Sequence, residues 1–198
     1  MRHPAKLALV AILAATAPKV SDAAFLATLS EVGPDVVATG SGSIELSGLA
    51  LLQSGTSAGL VFASTGNSRL GPSSDGDIYQ ASAGLPPLTG PVSFGPGGLF
   101  LNSTASGDLV GLSALTFLVV VPAGYASGTA LANSTSWANQ SFASLGVTPG
   151  TYVWTWGEGA SADSYTLQIG PAAVPEPASL ALFGLALAGL GLARRRLG

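Results

Sequence analysis

Long apolar runs stand at both ends of the chain, and the middle alternates short apolar runs with polar turns. The first run covers residues 7–17, about half of the roughly 20 residues that a membrane-spanning helix needs. It follows two basic residues and precedes small residues, which is the three-part order of a secretory signal peptide. We therefore predict a signal peptide over residues 1–23, exported through the Sec translocon and cleaved by signal peptidase between Ala23 and Ala24. The alternative is a buried N-terminal helix of a cytosolic protein.

The second apolar run covers residues 178–193, and no charged residue interrupts it. At 1.5 Å rise per residue, about 16 residues form a helix of roughly 24 Å, somewhat shorter than the usual hydrocarbon layer of about 30 Å. Arg194, Arg195 and Arg196 follow, and positive charge stays on the cytoplasmic side of a membrane. We predict a single-pass transmembrane helix in the inner membrane, with its C-terminus in the cytoplasm.

The middle of the chain, residues 24–173, has the pattern of an all-β domain. About 150 residues are enough for one domain with its own core. No long stretch places apolar residues at helical spacing, and turn signals recur at short intervals. We predict a single β-sandwich or jelly-roll-like domain, in which the apolar run 115–121 is a central strand buried on both faces. The predicted strands are 25–30, 36–46, 59–64, 77–81, 99–102, 114–121, 129–137, 151–156 and 164–169.

The last two predicted strands form the clearest hairpin and contain several aromatic residues. Tyr152, Trp154 and Trp156 alternate along the first of them, so they share one face. The partner strand carries apolar residues at the same spacing, and paired strands that turn apolar faces the same way bury them. We interpret this face as core. The alternative is a platform on which Trp137, Trp154 or Trp156 stacks against sugar rings.

Charge narrows the choice of partners. Between residues 24 and 173 the only basic residue is Arg69, against eight acidic residues. Nucleic-acid binding requires a basic patch, so this domain is not expected to bind nucleic acid. The negative charge of the domain also disfavours tight binding of an anionic polysaccharide, unless divalent cations bridge the domain and the polysaccharide. Cysteine is absent, so the domain must be stabilised by apolar burial without disulfides.

Few kinds of catalytic chemistry are compatible with this composition. The only histidine, His3, lies in the predicted signal peptide, which excludes Ser-His-Asp and Cys-His catalysis and the usual zinc sites. Carboxylate-only catalysis, as in glycosidases, needs a facing pair that no motif identifies here. Asp75 and Asp77 could offer ligands to calcium, but nothing completes a loop of six or more ligands, so we interpret them as an acidic surface turn. We predict no catalytic residue, no metal site and no cofactor.

The tail, residues 174–198, combines Val-Pro-Glu-Pro-Ala-Ser, a Leu/Ala/Gly-rich helix and the arginine cluster. This order resembles the PEP-CTERM sorting signal of Gram-negative bacteria. The resemblance implies recognition and processing by an exosortase-type membrane protease, with Pro175, Glu176 and Pro177 as the recognition signal. It also implies that the helix and the arginines hold the substrate in the membrane until it is cut. The alternative is a plain single-pass anchor that is not processed.

Together these observations favour a non-enzymatic protein exported to the cell surface or an exopolysaccharide matrix. The precursor would reside in the inner membrane, and the processed protein in the periplasm, at the cell surface or outside the cell. Exopolysaccharide is the expected partner beyond the export and processing machinery. Two alternatives remain at this stage: a neutral-carbohydrate-binding module that uses exposed tryptophans, and a carboxylate glycosidase.

Overall fold

Alternating apolar and polar residues produce thirteen strands in the part of the chain that the structure describes. The computed structural model describes residues 24–81, 84 and 87–170. The all-β prediction is confirmed, since two sheets account for most of these residues. The strands are β1 (Phe25–Val32), β2 (Asp35–Gly42), β3 (Leu49–Ser57), β4 (Leu60–Phe62), β5 (Asn67–Leu70), β6 (Ser74–Ala81), β7 (Leu99–Leu101), β8 (Thr104–Gly107), β9 (Val110–Ser113), β10 (Leu118–Pro122), β11 (Leu131–Trp137), β12 (Gly150–Trp156) and β13 (Asp163–Ile169).

The strands are divided between two sheets that enclose the core. Sheet A has six strands in the order β12-β13-β1-β2-β11-β8, and sheet B has seven in the order β3-β6-β10-β9-β5-β4-β7. In sheet A the first and last strands of the domain, β1 and β13, pair in parallel, with Phe25 opposite Tyr165 and Leu29 opposite Ile169. The last strand therefore lies inside the sheet, hydrogen-bonded to β12 on one side and to β1 on the other.

The core lies between the two sheets and contains the largest aromatic residues. Phe25 and Tyr165 stack with their ring centroids 5.5 Å apart. A Cβ atom at Gly40 would lie 2.5 Å from Cζ of Phe25, so a glycine at that position leaves room for the ring. The Tyr165 hydroxyl also hydrogen-bonds Ser68 of sheet B at 3.2 Å, which links the two sheets across the core. The predicted β12–β13 hairpin and its buried face are confirmed.

Nine predicted strands are present, with shifted bounds, and four are missing from the prediction: β3, β5, β8 and β9. The strand predicted over 114–121, whose apolar run 115–121 was expected to be buried on both faces, is only partly right. Val119, Val120 and Val121 are buried in β10, which lies between two neighbours in sheet B. Leu115 and Phe117, however, are 59% and 49% exposed, because the chain turns there between β9 and β10 with Phe117 at φ 54°.

Helical structure is sparse in the described ranges. They contain one short α-helix, α1 (Phe142–Leu145), and two 3-10 turns, and none of these is long and apolar enough to cross a membrane. The predicted transmembrane helix 178–193 and the predicted signal peptide 1–23 lie outside the described residues.

Candidate functional site

The chain enters and leaves the described domain at opposite ends of sheet A. Ala24 precedes β1 directly, and its carbonyl accepts a hydrogen bond from the Ser43 N–H at 3.3 Å. Gly170 follows β13, and its N–H donates to the Leu29 carbonyl at 3.0 Å. Because β1 and β13 are parallel neighbours, the exit at Gly170 lies at the far end of β1 from Ala24. The other half of the predicted cleavage pair, Ala23, lies outside the described residues.

The exit end of sheet A is held by carboxylates that cap backbone N–H groups. Glu31 Oε1 accepts from the N–H of Phe142 at 2.6 Å, which attaches the start of α1 to the end of β1. Asp35 Oδ1 accepts from the N–H of Asn139 at 2.8 Å in the same region. The chain therefore leaves the domain, after Gly170, from a region that these hydrogen bonds hold in place. The predicted sorting residues Pro175, Glu176 and Pro177 and the cluster Arg194, Arg195 and Arg196 lie outside the described residues.

The three tryptophans do not form a sugar-stacking surface. Trp137, Trp154 and Trp156 are 1%, 0% and 2% exposed, and each indole N–H donates to a backbone carbonyl. An indole ring enclosed by the core cannot present its face to a sugar. The hypothesis of exposed tryptophans is therefore wrong, and the interpretation of this aromatic face as core is confirmed.

The acidic residues of the domain are spread out, and most accept hydrogen bonds from the fold. The prediction that Asp75 and Asp77 form an acidic surface turn is wrong. Both residues lie on β6, which pairs with β3 and β10. Asp77 accepts from Ser54 Oγ at 2.6 Å and from the N–H of Gly124 at 2.8 Å. Within the described ranges, no group of three or more acidic or histidine side chains converges as a metal site would require. The acids that accept a hydrogen bond are Glu31, Asp35, Glu45, Asp75, Asp77, Asp108 and Asp163.

Asp163 is the carboxyl group with the most perturbed acidity. It begins β13, is 5% exposed, and accepts from the N–H of Glu45 at 2.6 Å through Oδ2 and from the N–H of Ser164 at 2.6 Å through Oδ1. The pKa of Asp163 is raised from 3.8 to about 6: burial is the largest cause and the nearby Glu45 carboxylate adds to it, while the two N–H groups act in the opposite direction. Both oxygens are engaged by backbone donors, so the geometry of Asp163 is that of a structural clamp between β13 and the loop around Glu45.

The raised pKa predicts that the domain becomes more stable as the pH falls from 7 to 5. A buried acid with a raised pKa takes up its proton in the folded state at a pH at which the unfolded chain is still ionised, so protonation favours folding in this window. We expect the free energy of unfolding to rise by on the order of 1 kcal/mol, since solvent at the end of the strand screens part of the effect. In Asp163→Asn the rise should be absent when unfolding is followed by tryptophan fluorescence at a series of pH values.

Asp75→Asn is the matched control for this prediction, because it makes the same chemical change at an exposed position. It should keep the native rise. An equal rise in native protein and in Asp163→Asn would show that Asp163 is not the group responsible.

A cavity on the outer face of sheet B was not predicted. It has a volume of about 200 Å³ and is lined by Asn67, Arg69, Ile78, Ser113, Thr116, Leu118 and Val120. The only signal in the sequence was that Arg69 is the sole basic residue between 24 and 173. Its neighbours come from β6, β9 and β10 and the turn before β10, and only the pairing of the strands brings them to Arg69.

Comparison with protein families identifies the tail. Residues 173–196 match the family model described as the PEP-CTERM protein-sorting motif. The chain carries a PEP-CTERM motif. The resemblance inferred from the sequence is thereby confirmed, and the match covers the tail alone. The chain matches no curated protein and no solved structure.

The PEP-CTERM motif supports a defined route for this protein. It indicates an exported protein that is sorted through its C-terminal segment and processed by an exosortase-type membrane protease. It also implies a membrane-anchored precursor that is then exported to the cell surface. The matched segment begins three positions after Gly170, so the folded sheet ends almost where the PEP-CTERM motif begins.

Proposed function

We propose that this protein is a non-enzymatic surface or extracellular-matrix component, delivered by its signal peptide and processed through its PEP-CTERM tail. The observation that supports this most is the position of the PEP-CTERM motif directly after an all-β domain. The precursor would be anchored in the inner membrane with its C-terminus in the cytoplasm. After processing, the domain would reside at the cell surface or in an exopolysaccharide matrix.

The length of the connecting chain supports presentation of the motif close to the domain. Five residue steps separate Gly170 from Pro175, and an extended chain spans at most about 3.5 Å per residue, so the two Cα atoms are at most about 18 Å apart. The protease would therefore act next to the exit end of sheet A. Because β13 is hydrogen-bonded on both sides, a folded domain would remain intact when the tail is cut.

The acidic residues support a non-enzymatic role. A glycosidase needs two facing carboxyl groups with free oxygens, one as acid and one as base or nucleophile. Among the carboxyl groups of the described residues, only Asp163 has a strongly raised pKa, and both of its oxygens are engaged by N–H groups. Its acidic neighbour, Glu45, accepts from Ser127 Oγ and from the N–H of Ser47, both through Oε1, so at most one carboxyl of this pair keeps a free oxygen. We therefore favour structural roles for both.

The outer face of sheet A supports association with a neutral, hydroxyl-rich material. One row of residues crosses all six strands through consecutive register pairs, and none of its members is charged. The next row on this face towards Ala24 is also uncharged, with two hydroxyl-bearing and three apolar residues. Such a surface offers hydrogen bonds without ionic repulsion from the acidic remainder of the domain. The first row consists of Thr151, Gln168, Thr28, Thr39, Ser134 and Ser106.

Replacement of Pro175, Glu176 and Pro177 by alanine tests the proposed route. We expect the variant to accumulate as the full-length precursor in the membrane fraction, because the recognition signal is gone while the apolar helix and the arginines remain. Immunoblots of membrane, surface and medium fractions measure this. Glu158→Ala, in an exposed loop of the domain, is the matched control and should be sorted like the native protein. Normal processing of the triple variant would contradict the proposal.

A further inference from the structure

Arg69 lies near the middle of the outer face of sheet B. It belongs to β5, where its register partner on one side is Gly111 of β9 and on the other Leu60 of β4. A Cβ atom at Gly111 would lie 2.7 Å from Cγ of Arg69, so the aliphatic part of the arginine lies against the bare backbone of β9. The guanidinium group is thereby placed on the sheet surface, where burial lowers the pKa of Arg69 while leaving it charged at neutral pH.

This guanidinium group has no partner among the residues that the structure describes. Eight carboxylates accompany it between residues 24 and 170, yet none forms an ion pair with it. Its Nε atom is buried and makes no hydrogen bond, and the same holds for Oδ1 of Asn67, two positions earlier on the same strand. Each of these unsatisfied buried atoms costs stability, so a ligand that gives either of them a hydrogen bond as the side chain turns towards it would recover that cost.

The cavity beside Arg69 provides the remaining walls of a binding site. On one side lie two hydroxyl groups: Thr116 Oγ1 donates to Ser113 Oγ at 2.8 Å, which leaves the Ser113 hydroxyl hydrogen free to donate further. On the other side lie the apolar side chains of Ile78, Leu118 and Val120. The volume of about 200 Å³ is below the roughly 300 Å³ at which sites for drug-sized ligands begin. The ligand must therefore be small.

We propose that this cavity binds a compact hydroxylated monocarboxylate, the chemical class of a single sugar acid. The planar guanidinium matches a carboxylate, with the Ser113 hydroxyl as an additional donor. On binding, the Asn67 amide turns towards the cavity so that its unpartnered oxygen accepts a ligand hydroxyl, and the aliphatic wall packs against the C–H groups of the ligand. The domain around the site carries a net charge of −7, from eight carboxylates and one guanidinium, so its repulsion grows with the charge of the ligand and favours one negative charge over several.

This inference deepens the proposed matrix association, and it rests on that proposal only for the source of the ligand. A uronic acid residue within a largely neutral polysaccharide presents the required carboxylate beside hydroxyl groups. Binding of a sugar acid by purified protein does not depend on sorting, so the two proposals can fail separately.

Titration of the full chain in detergent micelles with D-glucuronate tests the site. D-glucose is the neutral counterpart with the same ring, and isobutyrate is a small acid without hydroxyl groups. We expect saturable binding of glucuronate in the millimolar range by ligand-observed NMR, together with a shift of the Arg69 Nε–H resonance. Glucose should not bind at the same concentrations, and isobutyrate should bind about tenfold more weakly because it leaves Asn67 unpaired.

Variants locate the binding. Arg69→Gln should abolish glucuronate binding, and Arg69→Lys should weaken it about tenfold, because lysine retains the charge without the planar donor pair. Asn67→Ala should weaken glucuronate but not isobutyrate. Ser73→Ala, at an exposed position outside the lining of the cavity, is the matched control and should bind like the native protein. If Arg69→Gln does not fold, Arg69→Lys and Asn67→Ala provide the test. Absence of saturable glucuronate binding, equal binding of glucose, or unchanged binding in Arg69→Lys and Asn67→Ala would overturn the proposal.

Discussion

Replacement of Trp154 by alanine is expected to lower the free energy of unfolding by about 3 to 5 kcal/mol. The indole is completely buried and makes edge-on contacts with Phe94 and Tyr165 at centroid distances of 6.4 and 6.1 Å. Its Nε1–H donates to the Pro91 carbonyl at 2.7 Å, which would lose this donor in the variant. Such a loss is a large part of the roughly 5 to 15 kcal/mol by which domains are stable. Urea unfolding, followed by far-ultraviolet circular dichroism, measures it.

Val153→Ala is the matched control for the tryptophan variant. Val153 is the preceding residue on β12, points to the opposite face, and is 43% exposed. We expect a loss of under about 1 kcal/mol, as for most surface substitutions. Equal losses at the two positions would contradict the assignment of the Trp154 face to the core.

The second large effect is expected at Gly71, where the chain leaves β5. Gly71 has φ +104°, and a Cβ atom there would lie 2.2 Å from the carbonyl oxygen of Asp108. Its N–H donates to Thr135 Oγ1 at 2.7 Å, a buried hydrogen bond between sheet B and sheet A. Gly71→Ala therefore combines backbone strain with an overlap against the backbone of Asp108. We expect a loss of about 2 to 4 kcal/mol in the same unfolding measurement.

Gly33→Ala measures the cost of a positive φ where no overlap occurs. Gly33 also has a positive φ, +60°, but a Cβ atom there would meet nothing within 4 Å. Only the conformational cost of about 1 kcal/mol should remain. If Gly71→Ala costs no more than Gly33→Ala, the close approach of the chain around Asp108 to Gly71 is not as described.

The fold class was predictable because its main signals are local. Strict alternation in β12 and β13 places Trp154 and Tyr165 on one face, and the same alternation places Val153 on the other. A period of two along a strand distinguishes inside from outside without any knowledge of the strand order. The aromatic core could therefore be recognised from sequence, and the rival sugar-binding surface could be ranked below it.

The strands that were not predicted lack this alternation for physical reasons. β3 (Leu49–Ser57) is an edge strand with seven consecutive exposed residues and a bulge between Leu51 and Gln53, so its pattern does not alternate. β5 (Asn67–Leu70) and β8 (Thr104–Gly107) have four residues each, too few for a period to be seen. Conversely, the predicted strand that became β10 began too early, because Leu115 and Phe117 are apolar but lie in a turn. Hydrophobicity alone does not identify where a strand begins.

The sorting motif and the Arg69 cavity also differ in whether their signal is local in the sequence. The sorting motif is contiguous in sequence, so Pro175, Glu176 and Pro177 could be identified without a structure. The cavity around Arg69 depends on the pairing of β5 with β9, which brings Ser113 opposite Asn67. Such non-local register is not encoded in any short window of sequence, and the sequence indicated only that Arg69 is the sole cation of the domain.

The intact mass of the protein recovered from the cell surface and the medium tests the central claim most directly. We predict the mass of a chain that begins at Ala24, within a residue or two, and lacks the apolar helix and Arg194 to Arg196. A strain without the exosortase-type protease should instead yield a membrane-bound species that extends to Gly198. Recovery of a surface or medium form that still ends at Gly198, or of the full precursor from the cytosol, would contradict it.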